Sequence, residues 1–254
     1  MIALILLEQA TGRDKAWLLA HGEYHLDGTE QKSLENNLNQ LLEGIPLPYV
    51  IGTWDFFGRP FKVTRDVLIP RPETETLVEL ALSHLEKFPH PRILDVGTGS
   101  GAIAVSLSAE HPGAAVTATD ISLAALQVAK ENALNLGQTG IEFILADLLA
   151  PIQAEFDLIC ANLPYIPSQT LGSLEVSRWE PSLALDGGTS GLALIQKLLA
   201  QAQTRLSQEG MILLETEASL GKETLAAARA AFPQADCALL SDLAGKDRII
   251  RISQ

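Results

Sequence analysis

The sequence predicts a doubly wound α/β fold built on a mostly parallel sheet of seven strands. From residue 92 onward, short runs rich in Val, Ile and Leu alternate with helical segments, an order typical of parallel sheets covered by helices on both faces. The last two runs, 237–241 and 248–252, lie too close in the chain for a crossover helix. We therefore expect them to be antiparallel neighbours, with an antiparallel last strand.

Helices and a hairpin are expected before this sheet. Apolar residues recur at helical spacing within residues 1–44, and three glycines divide that stretch into two or three short helices. Residues 54–64 predict a β-hairpin in which Gly58 takes the first position of a tight turn and Pro60 lies on an edge strand. The prolines of residues 68–75 predict a stiff loop, and a further helix follows it.

Seven strands and four more helices fill the rest of the chain. The strands are expected at residues 92–96, 115–119, 141–145, 156–161, 210–216, 237–241 and 248–252. The helices between them are expected at residues 102–109, 123–136, 191–206 and 221–231. The chain should therefore consist of a small helical domain at 1–45, a hairpin linker at 46–70 and the doubly wound domain at 71–254.

Composition and charge narrow the classes of function. The formal charge is −13, from 31 acidic and 18 basic residues, which argues against a protein that holds nucleic acid mainly through its phosphates. The two cysteines, Cys160 and Cys237, have no metal-ligand spacing, so we expect no metal and a reducing cytoplasm. Cys160 lies in an apolar run and is expected to be a small core residue. No apolar run approaches the roughly 20 residues that a membrane span needs.

The strongest chemical signal is the stretch 93–103, where a buried strand runs into three alternating glycines and then into a helix. Glycines let the backbone turn sharply and approach a ligand, and a helix N-terminus presents free N–H groups. The spacing fits both the relaxed dinucleotide fingerprint and the Asp-x-Gly-x-Gly-x-Gly pattern of S-adenosylmethionine enzymes. The residues expected to bind the cofactor here are Gly97, Thr98, Gly99, Ser100 and Gly101.

Polar residues also end the neighbouring strands. Asp120 ends the second strand, where a carboxylate can bind ribose hydroxyls. Asp147 and Leu148 end the third strand, where a carboxylate would meet an adenine amino group. Asn162 ends the fourth strand. Because the carboxyl ends of parallel strands meet at one edge of a sheet, we expect these residues to form a row with the glycine turn.

The stretch Asn162-Leu163-Pro164-Tyr165 begins where the chain leaves the fourth strand. Pro164 cannot donate a ladder hydrogen bond and holds the residue before it extended, so an amide and an aromatic ring are fixed at the edge where ligands bind. Asn and Pro are also common in ordinary turns at the ends of strands. The tetrapeptide alone therefore does not distinguish a ligand-binding loop from such a turn.

The glycine stretch and this tetrapeptide together resemble class I methyltransferases that modify planar amide or amino nitrogens. Other segments, over nearly the whole chain, resemble the release-factor glutamine methyltransferases of the PrmC or HemK type. These segments are Tyr49-x-x-Gly52-x-x-x-Phe56, Leu68-Ile69-Pro70-Arg71-Pro72-Glu73-Thr74-Glu75, Trp179-Glu180-Pro181-Ser182-Leu183-Ala184-Leu185 and Asp242-Leu243-Ala244-Gly245-Lys246-Asp247-Arg248. The resemblance implies the class I, Rossmann-like methyltransferase fold and S-adenosyl-L-methionine as co-substrate.

The same resemblance implies methylation of the side-chain amide nitrogen of the glutamine in the Gly-Gly-Gln motif of class I peptide chain release factors. The Asn162 side-chain oxygen and the Leu163 carbonyl would accept both amide hydrogens, while Tyr165 packs on the amide plane and Pro164 completes the substrate site. Asn162 would also border the cofactor, and Asn162 and Tyr165 would be the catalytic residues. The helical domain would dock the substrate, and the protein would act as a cytoplasmic monomer without direct nucleic-acid or membrane contact.

Two features depart from the family pattern. Leu163 stands where the family usually has proline, and Asn-Leu-Pro-Tyr also occurs in rRNA adenine dimethyltransferases. The N-terminal helical region resembles that of the family but is expected to be shorter.

Three alternatives remain at the level of sequence. An adenine-N(6) methyltransferase acting on RNA or DNA would use the same two acceptors, but the charge of −13 disfavours it. A nicotinamide-dependent oxidoreductase would use the glycine turn but leaves residues 162–165 unexplained. A binding module without activity is the third.

Arg71 and Glu75 are expected either at the rim of the site or as a solvated pair.

Overall fold

The computed structural model describes residues 2–242 and 244–254, so Leu243 of the segment 242–248 lies outside the described residues. The chain divides into a first unit that extends to Trp54 and a second unit from Asp55 to Gln254. The predicted linker, 46–70, contains the division between them. No helix in the described part of the chain is long and apolar enough to cross a membrane.

The first unit is helical, as predicted. Its helices are α1 (Ile2–Thr11), α2 (Lys15–Ala20), α3 (Gly28–Leu42) and α4 (Leu47–Ile51). Asp27 caps α3 by accepting hydrogen bonds from the backbone N–H groups of Thr29 and Glu30, and the Glu30 side chain returns a bond to the backbone of Asp27. Helix α4 replaces part of the linker expected at residues 46–70, because Pro48 lies in the first turn of a helix, where its missing N–H costs nothing.

The predicted hairpin is formed by β1 (Thr53–Phe56) and β2 (Arg59–Lys62). Its turn differs from the prediction: Phe57 and Gly58 both have positive φ, 49° and 70°, so Gly58 takes the second position rather than the first. The strained Phe57 is fixed from outside the hairpin, since its N–H donates to Glu75 Oε1 at 2.7 Å.

The sheet elements follow α5 (Pro72–Leu85). The strands are β3 (Arg92–Val96), β4 (Ala115–Asp120), β5 (Glu142–Leu145), β6 (Phe156–Ala161), β7 (Leu206–Glu215), β8 (Asp236–Ser241) and β9 (Asp247–Ser253). The helices are α6 (Ala102–Glu110), α7 (Leu123–Asn135), α8 (Ser168–Leu171), α9 (Ala193–Ala202) and α10 (Gly221–Ala231).

The sheet has the predicted seven strands in the order β5-β4-β3-β6-β7-β9-β8. Strands β3 to β7 pair in parallel, and β9 pairs antiparallel with both β7 and β8, which confirms the antiparallel last strand. The chain leaves β3 toward one edge and returns at β6 to continue toward the other. The crevice at the carboxyl ends of β3 and β6 is therefore a topological switch point, where open α/β sheets bind ligands.

Alternate residues of the central strands enter two separate cores. Leu94 and Ile159 pack in the core on one face, whereas Ile93 and Leu158 pack in the core on the other. Both faces of β3 and β6 are thus buried, which explains their continuous apolar runs. Cys160 and Cys237 are buried free thiols, which confirms the burial predicted for Cys160.

Asn132, on α7, ties the hairpin to the turn that follows β3. Its Nδ2 donates to the carbonyls of Ser100 at 2.8 Å and Lys62 at 3.0 Å, and its Oδ1 accepts from the Lys62 N–H at 2.7 Å. The side chain is almost fully buried, at 1% exposure, so water cannot replace these bonds.

Replacing Asn132 with alanine should lower the free energy of unfolding by about 2–3 kcal/mol, because it leaves buried backbone groups of Lys62 and Ser100 without partners. Urea titration of both proteins measures this. Asn135→Ala on the exposed side of the same helix is the matched control and should change stability by less than about 0.5 kcal/mol. Equal effects of the two substitutions would show that the Asn132 bonds contribute little.

Candidate active site

A cavity of about 290 Å³ opens at the switch point of the sheet. It brings together most of the residues predicted from the sequence. Those that line it are Gly97, Thr98, Gly99, Ser100, Asp120, Asp147, Leu148, Asn162, Leu163 and Pro164, together with Arg71. Gly101, Tyr165 and Glu75 are not part of the lining.

The glycine turn is anchored to the sheet by Asp95, the fourth residue of β3. The Thr98 hydroxyl donates to Asp95 Oδ2 at 2.6 Å, and the Ala104 N–H, in the first turn of α6, donates to the same oxygen at 3.1 Å. Gly99, at φ 55°, would project a Cβ into open space, so it leaves room for a ligand beside the backbone. A Cβ at Gly101 would instead lie 3.1 Å from the Ala129 Cβ, which places this glycine at a helix contact rather than in the cavity.

Burial raises the pKa of Asp95 to about 7, and the bonds from Thr98 and Ala104 oppose that rise. The second carboxyl oxygen, Oδ1, has no hydrogen-bond partner among residues 2–242 and 244–254. Near neutral pH this carboxyl is therefore close to half protonated, which removes much of the cost of burying a charge.

Asp120 ends β4 beside the turn. Its carboxylate accepts from the Gly99 N–H at 2.9 Å and from the Ser122 N–H at 2.8 Å. Burial raises its pKa, and these backbone bonds oppose the rise. The Ile121 N–H also contributes to this carboxylate. An ionised carboxylate offers about four acceptor positions, so at least one remains for a ligand hydroxyl.

The end of β5 forms a second wall of the cavity. Asp147 is paired with the Lys197 ammonium of α9, and Leu148 is buried with φ 56°. A bulky residue in the left-handed region is strained, and such strain concentrates at ligand sites. Ile121, 58% exposed, adds an apolar side chain to the same lining.

Asn162 lies at the end of β6, opposite the glycine turn. Its Nδ2 donates to the Thr74 hydroxyl at 3.2 Å, and that hydroxyl donates to Glu215 Oε2 at 2.6 Å. Leu163 is buried and packs on the turn, since a Cβ at Gly97 would come 3.0 Å from its Cδ2. The two loops predicted to share a sheet edge therefore touch directly.

Thr74 and Glu215 were not predicted as site residues. Glu215 ends β7, so the end-of-strand reasoning that selected Asp120 applies equally to it. Thr74 stands inside the segment 68–75 that carried the family resemblance, at the first turn of α5.

Tyr165 is half-buried behind the loop rather than in the cavity. Two glycines pack directly against the backbone of Tyr165. A Cβ at Gly191 would lie 2.4 Å from the Tyr165 carbonyl oxygen, and one at Gly187 would lie 2.7 Å from the Tyr165 Cα. The Gly187 N–H also donates to the Ile166 carbonyl at 2.8 Å. Burial, reinforced by the negative charge of Glu215, raises the pKa of Tyr165 to about 12, so the phenol stays neutral.

Arg71 and Glu75 do not form the solvated pair that was one expectation for them. Arg71 Nη2 lies 2.5 Å from Oε1 of Glu180, whose side chain is only 3% exposed, whereas Glu75 accepts from the Phe57 backbone. Arg65 lies 5.0 Å from the centre of the Trp179 ring. The Arg71–Glu180 contact joins the two family-like segments, 68–75 and 179–185, at the wall of the cavity, and the Arg65–Trp179 contact lies next to it.

Two family models match the chain: the Methyltransferase small domain over residues 74–174 and the PrmC N-terminal domain over residues 2–52. Curated relatives carry the name release factor glutamine methyltransferase. The relative from Enterococcus faecalis is 41% identical over 98% of this chain and 90% of its own length. The relative from Bradyrhizobium diazoefficiens is 38% identical over 98% of this chain and 86% of its own length.

Solved methyltransferase structures share the fold. Ribosomal protein L11 methylase from Lactobacillus delbrueckii subsp. bulgaricus superposes with a TM-score of 0.53 at 24% identity, covering 72% of this chain and 80% of that one. A 16S rRNA N2 G1207 methyltransferase from T. thermophilus, in complex with AdoMet and guanosine, superposes with a TM-score of 0.57 at 17% identity, covering 80% of this chain and 49% of that one.

Asp95→Asn should flatten the pH dependence of stability. The folded protein retains a proton on Asp95 up to about pH 7, whereas the unfolded chain releases it near pH 3.8. The free energy of unfolding of the wild type should therefore fall as pH rises between these values, by up to about 1.4 kcal/mol per pH unit from this group. Asparagine does not titrate, so the variant lacks this component.

Urea titrations of both proteins at several pH values between 4 and 7.5 measure the difference. Asp120 and Glu215 also have raised pKa values, but they remain in both proteins and cancel. Parallel curves for wild type and variant would contradict the assignment of the bound proton to Asp95.

Proposed function

The chain belongs to the release factor glutamine methyltransferase family, and we propose that it transfers a methyl group from S-adenosyl-L-methionine to the side-chain amide nitrogen of the glutamine in the Gly-Gly-Gln motif of class I peptide chain release factors. One observation carries the proposal beyond the family relationship. Asn162 and Leu163 line the same cavity as the glycine turn and Asp120, so the two reactants would meet there.

The residues at the ends of β3, β4 and β5 fit the co-substrate. The open backbone at Gly99 leaves room for it, a free acceptor position of Asp120 suits a ribose hydroxyl, and Asp147 suits an adenine amino group. Leu148 and Ile121 would flank the adenine ring with apolar surface. S-adenosylmethionine supplies an activated methyl group on a positively charged sulfur.

The loop after β6 is proposed to orient the acceptor. A carboxamide nitrogen is a poor nucleophile because its lone pair is delocalised into the carbonyl. The Asn162 side-chain oxygen and the Leu163 carbonyl would accept its two hydrogens, directing the lone pair toward the methyl group and favouring the positive charge that develops on nitrogen. Leucine at 163 supplies this carbonyl as proline would. Pro164 would line the glutamine site. Tyr165 is not part of the cavity lining, so for its ring to pack on the amide plane the glutamine would have to extend past Pro164 toward it.

We also propose where the enzyme acts and with which partner. The enzyme would act in the cytoplasm as a monomer, with a release factor as its protein partner and without direct contact with nucleic acid or membrane. Transfer would need no metal, because the S–CH₃ bond breaks to release a neutral thioether as the N–CH₃ bond forms, and the nitrogen then loses one proton to solvent. The domain division of 1–45, 46–70 and 71–254 is retained as a functional one, with the first part docking the release factor.

Incubating the protein with S-adenosylmethionine and a class I release factor should add the mass of one methyl group to the peptide that contains Gly-Gly-Gln, as read by mass spectrometry. Asn162→Ala should lower the rate by about 100-fold or more, since it removes a preorganised acceptor. Binding of S-adenosylmethionine by the variant, measured by calorimetry, should stay within a few-fold of wild type.

Asn135→Ala, exposed on α7, is the control and should methylate at the wild-type rate. Parallel reactions with tRNA, rRNA and DNA test the adenine alternative. Methylation of nucleic acid instead of the release factor would overturn the proposed substrate, and near-normal turnover by Asn162→Ala would overturn the proposed role of the loop.

A further inference from the structure

The amide of Asn162 is held by a chain of two hydrogen bonds that ends on a buried carboxylate. Asn162 Nδ2 donates to Thr74 Oγ1 at 3.2 Å, and Thr74 Oγ1 donates to Glu215 Oε2 at 2.6 Å. The three residues come from β6, α5 and β7, and both Thr74 and Glu215 are almost fully buried, at 4% and 3% exposure. Little water can therefore replace either bond.

The direction of this chain is determined by the carboxylate. An ionised carboxylate only accepts hydrogen bonds, so the single proton of the Thr74 hydroxyl must point to Glu215. The lone pairs of Thr74 are then left for Asn162, which can satisfy them only with its NH₂ group. The other end of the amide, the oxygen Oδ1, is thereby the one left to accept from a ligand.

We propose that Glu215 is a positioning residue which, through Thr74, sets the direction of the Asn162 amide so that its oxygen rather than its NH₂ group meets the glutamine. This inference rests on the proposed function, in which Asn162 must accept a hydrogen from the substrate amide. An amide turned the other way would present a donor to a donor and would not bind the glutamine NH₂ group.

A carboxylate at position 215 is costly to bury, because its surroundings compensate its charge only in part. Burial raises its pKa to about 6, with a contribution from the negative charge of Glu73, while the bond from Thr74, the positive charge of Arg248 and a direct contribution from the Asn162 amide lower it. Arg248 is shared with Asp242, at 3.2 Å, and with Glu73, at 4.0 Å, so it does not compensate Glu215 alone. A neutral side chain of the same size would be less costly to bury, whereas only a carboxylate enforces the direction of the chain.

A pH dependence follows from the same arrangement. Protonated Glu215 can donate to Thr74, which frees the hydroxyl proton to turn toward the Asn162 oxygen. Besides Arg248, the charged or titratable groups facing this region are Glu73 on α5 and Tyr165 after β6, and the neutral Asn162 amide faces it as well. Arg71 and Glu217 face the same tyrosine. Because Glu215 is mostly ionised above about pH 6, kcat should be constant at higher pH and fall below that value.

Glu215→Gln tests the proposal with little change of shape. The glutamine can donate to Thr74, so we expect kcat for the release factor to fall about 100-fold and its acidic limb near pH 6 to disappear. The Kd for S-adenosylmethionine and the melting temperature should change little. Thr74→Val should cause a similar loss and Thr74→Ser should retain the wild-type rate, since only the hydroxyl matters.

Two further measurements distinguish a positioning role of Glu215 from a general loss of folded structure in the variants. The double variant Thr74→Val/Glu215→Gln should be no slower than either single variant, because both act through Asn162. NMR should show a nuclear Overhauser contact between the Asn162 side-chain NH₂ protons and the Thr74 methyl group in the wild type, and its loss in Glu215→Gln. This second measurement needs no substrate, so it tests the inference even if the proposed function fails.

A wild-type kcat in Glu215→Gln, multiplicative losses in the double variant, or an unchanged NH₂ contact in Glu215→Gln would each overturn the inference. Failure of the wild-type protein to methylate a release factor would instead overturn the proposed function. The amide direction would then still be decided by the NMR contact.

Discussion

The buried carboxyl group of Asp95 is the constraint on which the site depends. A single oxygen of this group holds both Thr98 and the first turn of α6, so the end of β3, the glycine turn and the helix form one rigid corner. Leu163 packs on that corner and carries Asn162 with it. The acceptor loop is thus positioned by a residue that lies outside the cavity lining, and the accuracy of the site comes from the core beneath it.

The topology decides where such a corner can form a site. Among the described parallel strands, the chain direction across the sheet reverses between β3 and β6, so two loops diverge there and leave a crevice. The glycine turn and the loop after β6 flank this crevice, and α5 closes it from the side through Thr74 and Arg71. Cofactor and acceptor positions are therefore neighbours because of strand order, not because of proximity in the chain.

The sequence predicted what depends on local pattern and missed what depends on distant partners. Strands 92–96 and 156–161 were correct to the residue, because burial on both faces leaves continuous apolar runs. The hairpin turn was shifted by one residue, because the positive φ of Phe57 is supported by Glu75 from another element. The Thr74–Glu215 bond joins residues 141 positions apart, and no local pattern in either segment indicates that the two side chains meet. Glycine and proline motifs identify the cofactor-binding turn in the sequence, whereas the hydrogen bonds that support the Asn162 amide are visible only in the structure.

The insertion of β9 between β7 and β8 has a consequence for synthesis of the protein. β7 ends at Glu215 whereas its partner β9 begins only at Asp247, so β7 leaves the ribosome before the strand that pairs with it. Until β9 follows, one edge of β7 is unpaired, and β8 has no strand to join. The nascent chain must therefore keep a long apolar strand edge from pairing with other chains, and the strand that carries Glu215 completes its ladder only once β9 has been made.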